Sequence, residues 1–331
     1  MFNYTKIMFF WFMLTGTLLT LSSNNWMSMW MGMELNLMSF IPLISQNKNK
    51  SSSKAMMIYF LTQSMSSMLM LFSILLKMMT INMMDMNIIN NVTTISLILK
   101  LGAAPMHMWL PEMMSNLNWF NCLILMTWQK IAPMVMLSYI NNNLNMIYLI
   151  IISSTFVGAV GAMNLTSLRK IMAYSSINHL GWMIMMMNIQ MQWMKYLIIY
   201  SIMMIMQCKL FSYYNVFFIN QMINNSYSMI EKFNLIIMFL SMGGLPPFLG
   251  FLPKWMVLWG MMETNLIIMM SFMIMMSIIT LFYYLRIVMS LILLYNMMNK
   301  WIYMNKINNY WILMMMLVNL SLPIISVMTW F

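Results

Sequence analysis

The stretch ISLILKLGAAPMHMWLPEM, residues 95–113, sets a lone cation, Lys100, in an apolar segment and follows it at once with the helix breakers Gly102 and Pro105. A lysine at bilayer depth costs about 3 kcal/mol on insertion scales. It persists there only with a partner, a hydrated cavity or a task. Gly and Pro free backbone amides and carbonyls, which membrane interiors tolerate only where they are buried in protein or line a wet cavity. The stretch therefore reads as an interrupted transmembrane helix with a polar site at its break. Three more ionisable residues stand in similar surroundings: Glu34 in WMGMELN (30–36), Lys130 in TWQKIAPM (127–134) and Lys254 in LSMGGLPPFLGFLPKW (240–255). The four together suggest a proton path through a membrane.

Composition points the same way. The 331 residues are 63% hydrophobic and 6% charged, against about 25% charged in soluble domains, and mean hydropathy is +0.80. Apolar runs near the ~20 residues of a membrane helix fall at about 7–22, 26–45, 55–78, 92–113, 119–140, 145–166, 171–190, 195–220, 234–260, 266–294 and 310–330. The fold class is therefore all-α integral membrane, with about eleven spans and no room for a soluble catalytic domain. The first run lacks a small-residue cleavage site and is followed by more spans, so it reads as a retained helix. Polar breaks are expected at 46–54, in the 85–91 region, and at 141–145, 224–228 and 296–309.

Basic residues set the orientation. Lys6, Lys48, Lys50, Lys54, Arg169, Lys170, Lys232, Lys300 and Lys306 share one side; the other has Lys195, with Lys77 near a span end. The positive-inside rule puts the rich side, with the N-terminus, in the matrix or cytoplasm, and the C-terminus opposite. Asp85 and the loop lysines read as solvated topology markers.

The fourth and ninth runs resemble each other. LGAAPMHMWLPE (101–112) aligns without gaps to GGLPPFLGFLPK (243–254): Gly102 meets Gly244, Pro105 meets Pro247, Leu110 meets Leu252 and Pro111 meets Pro253, all at an offset of 142. The two are five spans apart, an odd number, so the equivalents run in opposite directions, as in inverted-repeat transporters with broken helices at matching positions. The expected organisation is a five-helix repeat over 1–140, its inverted partner over 145–294, and a matrix loop with a C-terminal helix over 295–331.

Several function classes are excluded. The sixteen Lys and Arg are scattered, without a basic, aromatic-interleaved patch for nucleic acid. Cys122 and Cys208 lie far apart in or beside apolar spans and read as small buried hydrophobes. Two histidines without a Cys/His cluster leave no expected metal or cofactor ligand set.

Among the candidates, Glu34, Lys100 and Lys130 are central to their spans, and Lys254 is nearer an end, where snorkelling competes. A lysine out of water is one whose proton is moved by changing its neighbours. His179 in SSINHLGWM and Lys209 in IMQCKLFSYY are possible relays, as is His107 beside the first break. Glu112 and Glu263 read as interfacial carboxylates, Lys77 as a snorkelling cation, and Arg286 as a structural or inter-subunit one.

Lysine outnumbers arginine fourteen to two, and 57 methionines are spread through every span. This resembles an AT-rich gene read with extra Met codons, as in invertebrate mitochondria. LKLGAAPMHMWLPE, TWQKIAPM, SLRKIMAYSSINHLGWM and LSMGGLPPFLGFLPKW, in that order, resemble the antiporter-like subunits in the membrane arm of respiratory complex I, in their insect mitochondrial form, over essentially the whole chain. The resemblance implies a proton-translocating subunit of the mitochondrial inner membrane. Glu34, Lys100, Lys130 and Lys254 match the family's proton-pathway residues, and His179 and Lys209 occur in matching segments. It further implies flavin, iron–sulfur clusters and quinone in other subunits and none here. The implied partners are neighbouring antiporter-like subunits, small accessory subunits and lipids such as cardiolipin. Two other classes remain open: an Mrp-type cation/proton antiporter subunit, and a passive spacer whose buried lysines would tolerate neutral replacement.

Overall fold

The computed structural model describes residues 4–45, 49–79, 83–140, 144–190, 192–224, 228–293 and 309–323. Lys48, Lys300, Lys306 and the Asp85 side chain lie outside the described residues, as do parts of the polar breaks at 46–54, 141–145, 224–228 and 296–309. Apart from one isolated bridge between Ser167 and Phe218, the described elements are helices. The chain divides into two compact units, Met1–Ser154 and Thr155–Phe331.

The first unit contains α1 (Tyr4–Ser22), α2 (Trp26–Ser45), α3 (Lys50–Met79), α4 (Met83–Leu101), α5 (Trp109–Asn116), α6 (Trp119–Met126) and α7 (Ile131–Ser138). α8 (Leu144–Val160) crosses the division. The second contains α9 (Leu168–Gln190), α10 (Trp193–Tyr213), α11 (Ile219–Asn224), α12 (Met229–Gly243), α13 (Phe251–Glu263), α14 (Ile267–Leu293) and α15 (Asn309–Asn319). Five described stretches are long and apolar enough to cross a membrane: Tyr4–Ser22, Lys50–Met79, Trp119–Ser138, Trp193–Tyr213 and Ile267–Leu293. Large apolar side chains such as Trp11, Phe72, Ile268 and Phe282 face outward, which water would penalise and lipid would not.

Three expectations change. The 85–91 region is not a break but the first turns of α4; it is polar, yet it holds neither Gly nor Pro to stop a helix. The run 195–220 ends as a helix at Tyr213. There Asn215 takes a left-handed φ of 52°, which Asn tolerates better than most residues. Leu168 N then donates to Phe217 O (3.0 Å) and Ile219 N to Thr166 O (3.1 Å), tying this turn to the start of α9. The run 119–140 is interrupted at a 3-10 turn, Trp128–Lys130. Pro133 explains this: it lacks the N–H that would bond Gln129 O, and its ring crowds that carbonyl.

α1 and α2 touch backbone to backbone. A Cβ on Gly32 would lie 2.6 Å from Thr20 Cγ2 and 2.8 Å from Gly16 O, and one on Gly16 would lie 2.9 Å from Asn36 N. Membrane helices without a hydrophobic drive to associate use such small-residue contacts. Gly32→Leu is expected to separate the pair and cost ~2–3 kcal/mol, read as a weaker band of assembled protein on a native gel at equal synthesis.

The two helix breaks are built alike. α4 ends at Leu101 and α12 at Gly243. Gly102 and Gly244 follow in the left-handed region, with φ of 71° and 79°. Ala103 N donates to Ile98 O and Leu245 N to Leu240 O, the Schellman closure that a C-terminal glycine permits. Beyond each break, Leu110 N donates to His107 O and Leu252 N to Leu249 O, in the first turns of α5 and α13, which begin at Trp109 and Phe251. Each of these pairs keeps the offset of 142 seen in the sequence. Pro111 and Pro253 sit in first turns, whose amides have no helical partner to lose.

Candidate functional site

In the first unit, the α4 break places Lys100 on the same cavity as Lys130. Both are buried, at 7% and 2% exposure, and both line one small cavity together with Asn36, Tyr59, Gln63 and Gln129. The space open to the centre of a water molecule is about 20 Å³, room for about one water. The carbonyls freed by the break are taken up locally: Trp109 Nε1 donates to Leu99 O (3.0 Å) and Gln63 Nε2 to Lys100 O (3.2 Å). Ser153 Oγ donates to Ala104 O (3.1 Å). These carbonyls are thus satisfied without the lysine's ammonium.

Glu34 lies beside this site on α2. Its charge acts on both Lys100 and Tyr59, but among the described residues it makes no direct ion pair with Lys100. Its Oε1 is buried without a hydrogen-bond partner. The expected Glu34–Lys100 pair is therefore coupled through space rather than by contact. His107 sits in the break itself, where Nδ1 donates to Pro105 O (3.1 Å).

The second unit holds its own buried lysine. Lys254, 4% exposed, donates from Nζ to Gly243 O (2.8 Å), the last carbonyl of α12. That end carries the negative pole of the helix dipole and favours a cation. Gly244 makes the room, since a Cβ there would lie 2.9 Å from both Lys254 Cδ and Nζ. The Trp182 ring of α9 covers the ammonium at 5.9 Å. One turn earlier on α9, His179 Nδ1 shares a 2.8 Å hydrogen bond with the Tyr196 hydroxyl and packs on Tyr200.

Other candidates fall outside these buried sites. Lys209 is exposed, four residues from the end of α10, with Nζ over the Trp311 ring at 5.3 Å. Its charge stands at the surface of the unit, apart from the buried lysines. Arg286 binds inside its own unit, from Nη1 to Met163 O and from Nη2 to Leu165 O (2.6 Å), closing the turn after α8. Lys77 rests on Trp26 at 4.7 Å. Glu112 is exposed, and Glu263, also at the surface, accepts from Trp259 Nε1 (2.8 Å).

The sequence reading missed Asn36, Tyr59, Gln63 and Gln129. Two signals marked them: Asn36 and Gln129 sit in the quoted motifs, and Tyr59 and Gln63 are polar residues four apart, hence on one face, in an apolar span.

This arrangement, a broken membrane helix with lysines buried around its polar break, defines the antiporter-like class. Residues 23–280 match the family model described as NADH:quinone oxidoreductase/Mrp antiporter, transmembrane. The chain is 45% identical over 300 residues to NADH-ubiquinone oxidoreductase chain 2 of Anopheles gambiae, covering 89% of this chain and 88% of that one. It is 42% identical to chain 2 of Locusta migratoria over 99% of this chain and 94% of that one. A chain in the structure of respiratory complex I from Thermus thermophilus shares the fold, with a TM-score of 0.83 at 18% identity, covering 97% of this chain and 80% of that one. The chain belongs to the NADH-ubiquinone oxidoreductase chain 2 family.

Proposed function

We infer that the chain is a membrane-arm subunit of NADH:ubiquinone oxidoreductase that carries protons across the mitochondrial inner membrane. The observation that carries this reading is one cavity lined by two buried lysines, with the half-buried Glu34 carboxylate in electrostatic reach. The charge of Glu34 acts on the Lys100 site. When a change in a neighbouring subunit moves or neutralises that charge, the Lys100 proton passes to Lys130 and onward toward Lys254. His179 and His107 are secondary relay candidates. Flavin, iron–sulfur clusters and quinone reside in other subunits, so this chain works by coupling and contributes no redox centre. Its partners are neighbouring antiporter-like subunits, small accessory subunits and lipids such as cardiolipin.

The finer architecture belongs to the same proposal: eleven crossings, inverted five-helix repeats over 1–140 and 145–294, and a C-terminal helix within 295–331. The N-terminus faces the matrix and the C-terminus the intermembrane space. The matching hydrogen bonds of the two breaks support the repeat, and the basic residues on one set of loops support the orientation.

An Mrp-type antiporter subunit is the second reading, since the family model spans both kinds of protein. The near-full-length relatives, both oxidoreductase chains, favour the first. Mild solubilisation of membranes followed by native-gel separation and mass spectrometry separates the two. Co-migration with NADH-oxidising activity in a very large particle is expected. Migration alone, or in a small cation-transport assembly, would give the antiporter reading precedence.

A further inference from the structure

Resting on the proton-path reading above, we propose that Tyr59 positions the water through which Lys100 and Lys130 exchange a proton, and that Gln129 and Asn36 hold Tyr59 to that task. Tyr59 lines the cavity from α3. Its ring is fixed edge-on by Phe40 at 5.1 Å and flanked by Trp109 at 6.2 Å. Its hydroxyl donates to Gln129 Oε1 over 3.4 Å. The Gln129 amide is itself anchored, Nε2 donating to Asn36 Oδ1 at 2.9 Å.

The chemistry follows from what each group can do. A carboxamide in its ordinary form does not pass a proton along, so the Asn36–Gln129 bridge is a strut. The tyrosine hydroxyl has one hydrogen and two lone pairs. Its bond to the strut is long for O–H···O, which leaves it able to accept from, or turn toward, the cavity. The cavity is too small for a column of water and holds about one molecule. The geometry of transfer is then set by that molecule and the groups that bind it.

In the step itself, the Lys100 ammonium gives a proton to the water as the water gives one of its own to the Lys130 amine. One N–H bond breaks and another forms, the water is regenerated, and no electrons change hands. Tyr59 keeps its proton throughout, so it is a positioning residue.

The test is Tyr59→Phe in the intact respiratory complex, assayed in inner-membrane vesicles. The variant keeps the ring and its packing and removes only the hydroxyl. Native gels should show normal assembly, NADH-driven proton uptake should fall by about tenfold, and the slowing in D2O should grow. That fall is smaller than the ~10²-fold of a side chain that transfers the proton directly, because water substitutes in part. Normal uptake with an unchanged D2O effect in an assembled complex overturns the inference. Lys100→Met, run alongside, separates the two levels: if it too pumps normally, the proton-path reading has failed. If only Tyr59→Phe is normal, that reading stands and the role of Tyr59 falls. A second measurement needs no variant. High-resolution imaging of the wild-type complex should show a water about 3 Å from Tyr59 Oη, and a dry cavity would overturn the inference.

Discussion

A Lys100→Met chain is expected to assemble into the complex and yet to lose NADH-driven proton uptake by more than about tenfold. Methionine nearly matches the length of lysine and fills its space but cannot carry a proton. The loss is chemical rather than architectural because the break does not depend on the ammonium. Gln63 binds the Lys100 carbonyl and Trp109 the Leu99 carbonyl, and both bonds survive the substitution. What changes is charge. Glu34, half-buried on α2, loses the cation on which its field acts. Proton uptake by vesicles, measured against the NADH oxidation rate and the amount of assembled complex, checks all three parts. An assembled Lys100→Met complex that pumps at the wild-type rate would remove Lys100 from the path and favour the spacer reading. Lys130→Met should behave alike, since Lys130 lines the same cavity.

The elements that the sequence made legible are those in which local chemistry decides. Gly102 and Gly244 were readable because a glycine closing a helix leaves few alternatives, and both adopt left-handed φ. The offset of 142 recurs in the hydrogen bonds because the same closure is used twice. Burial of Lys100, Lys130 and Lys254 followed from their apolar surroundings. The interruption at Trp128–Lys130 was equally readable from Pro133, yet it hides inside an unbroken hydropathy run, because hydropathy is blind to backbone hydrogen bonds. Lys209 shows the opposite limit. Its position in an apolar run says nothing of which way its helix face turns, and that face meets Trp311. The polar cavity was invisible as a whole. Asn36, Tyr59 and Gln129 lie on separate helices, and only packing brings an amide within 2.9 Å of another 93 residues away. Arg286 binds carbonyls more than 120 residues earlier, beyond any periodicity.

The second large effect is expected from Gly250→Ala, one carbon added at the α12–α13 break. A Cβ there would lie 1.7 Å from Ser241 O and 2.6 Å from its carbonyl carbon. Both are backbone atoms, so no side-chain rotation relieves the overlap. Gly250 has ordinary right-handed dihedrals, φ −65° and ψ −15°, so its glycine is required by space and not by conformation. To admit the methyl group, the start of α13 must move away from α12. That movement pulls Lys254 off the Gly243 carbonyl and Leu249 N off Asn319 O. A cost of about 3–5 kcal/mol is expected, read as loss of assembled complex on native gels and a lower temperature of half-inactivation. Met108 provides the comparison, since it stands at the equivalent position of the first break. It is 72% exposed, so Met108→Ala should leave assembly unchanged. The two breaks thus share their closure but not their tightness. The first leaves space for a water in a cavity that two lysines line, whereas the second draws its lysine directly onto a helix end. Normal assembly of Gly250→Ala would mean that α13 can shift freely, and the placement of Lys254 could then not depend on its contact with α12.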